Sequence, residues 1–160
     1  MFLSDDGLRV LKFARNYGFV PDVKGGMLIM RPGIPAEYLA RHALSEQVFP
    51  TETMVEGLTP HGHWVVSQRA IKGGHPTEAA VRKYLLKLGF TNLPARFGQD
   101  GGAWFHRDLG ILIMDTAPDN FISSKQGIVP IDLQIAELGG PLLTLADAAG
   151  TFLKQAPKPG

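Results

Sequence analysis

Three oxygen-bearing side chains follow one another in an order suited to holding a divalent cation. The run Ile113-Met114-Asp115-Thr116-Ala117-Pro118-Asp119-Asn120 closes an apolar stretch with a carboxylate, Asp115, and places an amide, Asn120, five positions later. A second apolar stretch, Gly127-Ile128-Val129-Pro130-Ile131, ends in Asp132. Magnesium is a hard cation that takes oxygen ligands and keeps several waters, so a few protein oxygens plus those of a phosphate complete its shell. Two acids and one amide are an adequate set. Asp132 follows apolar residues and precedes Leu133, which points to burial, and a buried acid needs a partner or a metal. The plainer readings are that Asp115 belongs to ordinary Asp-x-x-Pro turn chemistry and that Asp132 is a surface acid ending an edge strand.

The order Asp115–Asn120–Asp132 resembles the protein-kinase pattern. There, an aspartate that orients or deprotonates the acceptor hydroxyl is followed five residues later by a magnesium-binding asparagine, and then by a second metal-binding aspartate. Further marks are Val48-Phe49-Pro50 with Thr51 or Thr53, Ser67-Gln68 where a hinge would lie, and Leu88-Gly89-Phe90. Together they make the stretch 35–138 similar to the kinase-like domains of polyvalent proteins from phages and mobile elements. The resemblance implies ATP and Mg2+ as cofactors and transfer of a γ-phosphoryl group to a hydroxyl of an unknown acceptor, protein or small molecule. In that scheme Asp115 orients the acceptor, Asn120 and Asp132 hold the metal, and Gln68 lies at the nucleotide's hinge. It also implies a phosphate-gripping lysine on an early strand, here Lys12, paired with a glutamate on the next helix. Glu37, near the helix start, is favoured over Glu46, near its end. Similar domains are commonly modules of larger polypeptides.

Two departures favour the alternative of a catalytically silent nucleotide-binding or protein-interaction module. No G-x-G-x-x-G loop precedes Lys12, whose eleven upstream residues contain one glycine, and Ala117 stands where kinases place a charge-neutralising lysine. Three other motifs read as structure. His106-Arg107-Asp108-Leu109 spells the kinase catalytic tetrapeptide, but Ile113 stands where its asparagine should be, so a hairpin turn is expected. His61-Gly62-His63 lacks a third ligand nearby and reads as a turn. Lys72-Gly73-Gly74-His75 reads as a flexible linker rather than a phosphate cradle, and Trp64 and Trp104 as core anchors.

The elements that position these residues follow from periodicity. Alternation in Leu8–Phe13 after Asp5-Asp6-Gly7 predicts a strand opening in a hairpin, and Met27–Met30 after Lys24-Gly25-Gly26 a buried strand. Pro35 starts a helix with apolar positions Tyr38, Leu39, Ala43, Leu44 and Val48, stopping before Pro50. Met54–Leu58 and His63–Gln68 flank a turn as antiparallel strands. Pro76-Thr77-Glu78 opens a second helix ending at Gly89, and a glycine-rich loop follows. Leu109–Met114 and Gly127–Ile131 read as short apolar strands separated by the polar segment Asp115–Gln126, and Leu142–Lys154 as a terminal helix. The expected architecture is α+β: a reduced two-lobed kinase-like fold with an abbreviated sheet lobe (1–70) and a small helical lobe (71–154), then a disordered tail (155–160).

Composition agrees with one globular domain. The 160 residues are 44% hydrophobic and 19% charged, within ordinary globular usage. No apolar stretch approaches the ~20 residues of a membrane span, and the acidic N-terminus lacks the basic region of a secretory signal. The absence of cysteine excludes disulfides and thiolate chemistry, and a cytoplasmic location is the expectation. A net charge of +1 from well-mixed charges gives no direct nucleic-acid signal.

Overall fold

The computed structural model describes residues 1–25, 27–93 and 102–155, with Met27, Leu28 and 149–155 described by backbone alone. The chain is a mixed α+β protein with antiparallel sheets and three helices among the described residues. Strands β1 (Phe2–Leu3) and β2 (Arg9–Ala14) form the opening hairpin, closed by Ser4 N–H donating to Arg9 O at 2.9 Å. They join β5 (Met54–Leu58) and β6 (Trp64–Arg69) in a sheet ordered β1-β2-β6-β5. Between them lie the hairpin of β3 (Phe19–Lys24) with β4 (Met27–Pro32) and the helix α1 (Pro35–Val48). Proline suits the first turn of α1, where its missing N–H costs no hydrogen bond. The Glu37 carboxylate accepts the Ile34 N–H at 3.0 Å, satisfying one exposed donor at the helix start.

Helix α2 (Glu78–Lys87) is capped by Thr77, whose hydroxyl accepts Ala80 N–H at 3.2 Å. Gly89 follows it at φ +91°, a left-handed conformation in which a Cβ would also lie 2.8 Å from His106 Nε2. The second half is richer in strand than expected. Strands β7 (Thr91–Asn92), β8 (Ala103–His106), β9 (Ile111–Met114) and β12 (Gln134–Glu137) form a sheet ordered β12-β9-β8-β7, and β10 (Phe121–Ser124) forms a separate two-stranded sheet with β11 (Gly127–Pro130). With α2 and α3 (Gly140–Gln155), this replaces the expected small helical lobe by a unit of comparable strand and helix content. The two apolar runs flanking the polar segment do not pair with each other: β9 pairs β8 and β12, while β11 pairs a strand inside that segment. His106–Leu109 is the end of β8 and the β8–β9 turn, and His61-Gly62-His63 is also at a turn, with Thr59 N–H donating to His63 O at 2.8 Å. The glycine-rich loop lies largely outside the described residues, as does the expected tail except for Gln155, which belongs to α3.

The largest core cluster joins Phe49 at the end of α1 to Leu85 of α2, Phe90, Trp104, Ile113 and Phe121. A smaller cluster of Ala14, Tyr38 and Val66, with Trp64 against it, holds α1 to the first sheet. Helix α1 thus packs on both halves of the chain and fixes the distance between β2 and the β10–β11 hairpin. Among the described residues no helix is long and apolar enough to cross a membrane.

Lys72-Gly73-Gly74-His75 is a fixed connector rather than a flexible linker. Ser123 N–H donates to Gly74 O at 2.7 Å, His75 Nδ1 lies 3.0 Å from Phe121 O, and a Cβ on Gly73 would stand 2.1 Å from Ser123 O. The contact is to backbone, which cannot swing aside as a side chain can. Gly73→Ala is therefore expected to lower stability by about 2 kcal/mol and to loosen β10, whereas Gly74→Ala, whose added carbon meets nothing within 4 Å, is expected to change the unfolding free energy little. Denaturant unfolding of the two variants checks the contrast.

Candidate functional site

Lys12 faces inward because alternation along β2 places it opposite Phe13, which is 40% exposed. Its Nζ donates to Ile131 O and lies 3.9 Å from Asp132 Oδ1. The Lys12 side chain is 16% exposed and that of Asp132 is 51%, so the aspartate is half open to solvent rather than buried. Residues Ile131 to Leu133 leave β11 toward β12, which turns Asp132 into the cleft while Leu133 enters the core. Burial lowers the ammonium's proton affinity below the usual lysine value; Asp132 opposes this and Arg41 adds to it.

Asp115 lies just after β9 with φ +58°, a conformation that aspartate tolerates better than most residues. Its backbone carbonyl accepts Asn120 Nδ2–H at 2.7 Å, and the Asn120 carbonyl accepts Ile131 N–H at 2.8 Å. These bonds draw Asp115, Asn120 and the approach to Asp132 into one neighbourhood. Because the Asn120 amide spends its nitrogen on the backbone, its oxygen is the atom a cation would take. The Asp115 carboxyl is held above the usual aspartate range by burial and by the charges of Asp132 and Asp119, against the pull of Asn120 and Arg41. Repulsion between Asp115 and Asp132 is what a bound divalent cation relieves. Among the described residues no group of three His, Cys, Asp or Glu side chains could hold a metal ion, so a cation here depends on two acids, the Asn120 amide and ligand oxygens.

The expected Lys12–Glu37 pair is not formed. Glu37 takes Arg31, with Nη1 at 3.0 Å and Nη2 at 2.5 Å, in addition to the Ile34 N–H. Strand β4 ends beside the start of α1, so Arg31 reaches Glu37 first. Glu46 is equally committed, accepting the backbone N–H groups of Thr51, Glu52 and Thr53 at 2.9–3.0 Å. Burial raises the Glu46 carboxyl, but those amides outweigh it and hold the group below the usual range. Gln68 is buried, and its Nε2 donates at 3.5 Å to Pro130 O, tying β6 to β11.

Two residues that no sequence motif marks, Arg41 and His42, complete the cleft. Arg41 stacks its guanidinium 4.9 Å from the Tyr38 ring centre and donates Nη1–H to Gln134 Oε1 at 2.5 Å. His42 meets the same ring edge-on at 4.6 Å. Burial, with Arg41 and Lys12 acting in the same direction and Asp132 opposing, pushes the His42 imidazole down to about 4. Both residues join Lys12, Gln68 and Asp132 in lining a cavity of about 20 Å³. The available signal was weak: Arg41, His42 and Ser45 lie on one side of α1 beside its apolar stripe, a pattern shared by many solvated helix faces. The result is a cleft in which Lys12 and Arg41 meet Asp132, with Asp115 near enough for its charge to act on Arg41. No family model, curated protein or solved structure matches the chain.

Proposed function

We propose that the chain is a reduced kinase-like domain that binds magnesium–ATP and transfers its γ-phosphoryl group to the hydroxyl of an acceptor. The observation that carries this reading is the approach of Lys12 to Asp132, 3.9 Å apart across residues widely separated in sequence, with Asp115 and Asn120 beside them. Phosphoryl transfer requires little covalent chemistry from the protein; positioning and charge supply the catalysis. Asp132 and the Asn120 oxygen would hold magnesium, which would neutralise charge on the phosphates. Lys12, already partly desolvated, would exchange its contact with Asp132 for phosphate oxygens, and Asp115 would orient the acceptor hydroxyl. The raised proton affinity of Asp115 suits a group that accepts a proton during the reaction.

The second reading, a silent nucleotide-binding or interaction module, is favoured by the commitment of both helix glutamates elsewhere and by Ala117 at a position where kinases carry a cation. Calorimetric titration with ATP, with and without magnesium, together with release of labelled γ-phosphate, separates the two. Magnesium-dependent binding with turnover supports the enzyme. Binding without turnover supports the silent module, and no binding removes the nucleotide from both.

A further inference from the structure

Only two buried side-chain nitrogens among the described residues lack a hydrogen-bond partner: Arg41 Nε and His42 Nε2. They belong to adjacent residues of α1, and both residues line the same cavity as Lys12. A buried polar group without a partner destabilises the fold, so two together call for a ligand. Its chemistry follows from the donors. Guanidinium nitrogen only donates, and a neutral imidazole can donate from Nε2 when Nδ1 carries no proton; burial keeps His42 neutral at physiological pH. The partner missing from Arg41 is therefore an acceptor, and His42 serves the same acceptor in the tautomer that carries its proton on Nε2. The cavity is open to solvent on one side and its enclosed part takes at least one water-sized atom, so it can receive the end of an oxygen-rich group lying in the cleft. Arg41 is held in place by the Tyr38 ring and Gln134, which fixes its plane before any ligand arrives and lowers the entropy lost on binding.

We infer that Arg41 and His42 form, with Lys12, a subsite for a phosphate group of the nucleotide, so that α1 contributes donors to the phosphates in place of a glutamate paired to the lysine. The identity of the anion rests on the kinase-like reading; the demand for an anionic acceptor does not. The test titrates the full chain with magnesium–ATP and, separately, with inorganic tripolyphosphate, for the parent, Arg41→Lys, Arg41→Met and His42→Leu. Both ligands are expected to bind the parent. Arg41→Lys, which keeps charge but loses the fork, should weaken both about tenfold, Arg41→Met about a hundredfold, and His42→Leu several-fold. As a check that needs no variant, the Arg41 Nε–H resonance of the parent should shift on adding tripolyphosphate.

Unchanged affinity in both Arg41 variants, or an unmoved resonance with ligand bound, would overturn the inference and leave a structural water as the cavity's occupant. Loss of ATP binding in Asp132→Asn with Arg41 variants unaffected sinks the subsite and keeps the kinase-like reading. Arg41-dependent tripolyphosphate binding, with no preference for ATP and no effect of magnesium, does the reverse. Failure of both ligands to bind the parent removes both.

Discussion

Asp132→Asn is expected to lower the affinity for magnesium–ATP by at least about a hundredfold while leaving the weak metal-free binding of ATP nearly unchanged. The variant replaces a full negative charge at a hard divalent cation by a neutral amide, and the site has only Asp115 and the Asn120 oxygen to compensate. The effect on the fold should be small because two changes offset. Asp132 attracts Lys12, 3.9 Å away, and Arg41, both of which lose a counter-charge. It also repels Asp115, which is relieved. With the Asp132 side chain 51% exposed, solvent screens both effects, and the net change in stability should stay within about 1 kcal/mol. Calorimetry with and without magnesium, together with the thermal midpoint, checks both halves. Magnesium–ATP affinity equal to that of the parent would remove Asp132 from the metal site. A fall in midpoint large enough to account for the lost binding would make its role structural.

The local part of this site was legible in sequence, and the part set by long-range packing was not. Prolines and the 3.6-residue period mark α1 and α2, and alternation along β2 places Lys12 on the face that meets Asp132. The Asp115–Asn120 spacing names two residues that a hydrogen bond from the Asn120 amide to the Asp115 carbonyl then holds together. Strand β3 has no clear mark in the sequence because Pro21 and Asp22 interrupt it, residues that argue against a strand unless it is an edge. The β3–β4 hairpin delivers Arg31 to Glu37, and without that strand in view Lys12 is the cation that the sequence offers the glutamate. Strand β10 is only four residues long, with two serines, inside a segment that looks polar throughout. Its partner and its link to Gly74 are tertiary facts that local pattern does not encode. Arg41 and His42 are unmarked in the sequence for the same reason: a helix period shows which side is apolar, not which polar residues the neighbouring strands will cover.

Between pH 7 and 5 the parent protein is expected to lose about 2 kcal/mol of stability that His42→Leu does not lose. The imidazole titrates near 6.5 when unfolded and about 4 when folded, so as pH falls through 6.5 the unfolded chain gains a proton that the native chain refuses. Stability therefore falls with falling pH across that interval, by as much as about 1.4 kcal/mol per pH unit, and the loss is complete only near pH 4. The groups that face His42 fix this sign. Burial is the largest effect, Arg41 and Lys12 disfavour a third cation, and Asp132 is the one acid that opposes them. Carboxylates held below their usual range, Glu37 and Glu46 among them, also make the fold acid-sensitive, but only at pH values below about 4.5, outside the interval measured. Asp115, held above its usual range, works in the opposite direction by favouring the native state as it protonates. Urea unfolding at pH 7, 6 and 5 for parent and variant isolates the histidine, since the difference in slope is independent of how well leucine packs against Tyr38. Parallel slopes would assign the proton elsewhere. A steeper parent slope that flattens when tripolyphosphate is added would show the anion supplying the counter-charge that lets His42 accept a proton in the native state.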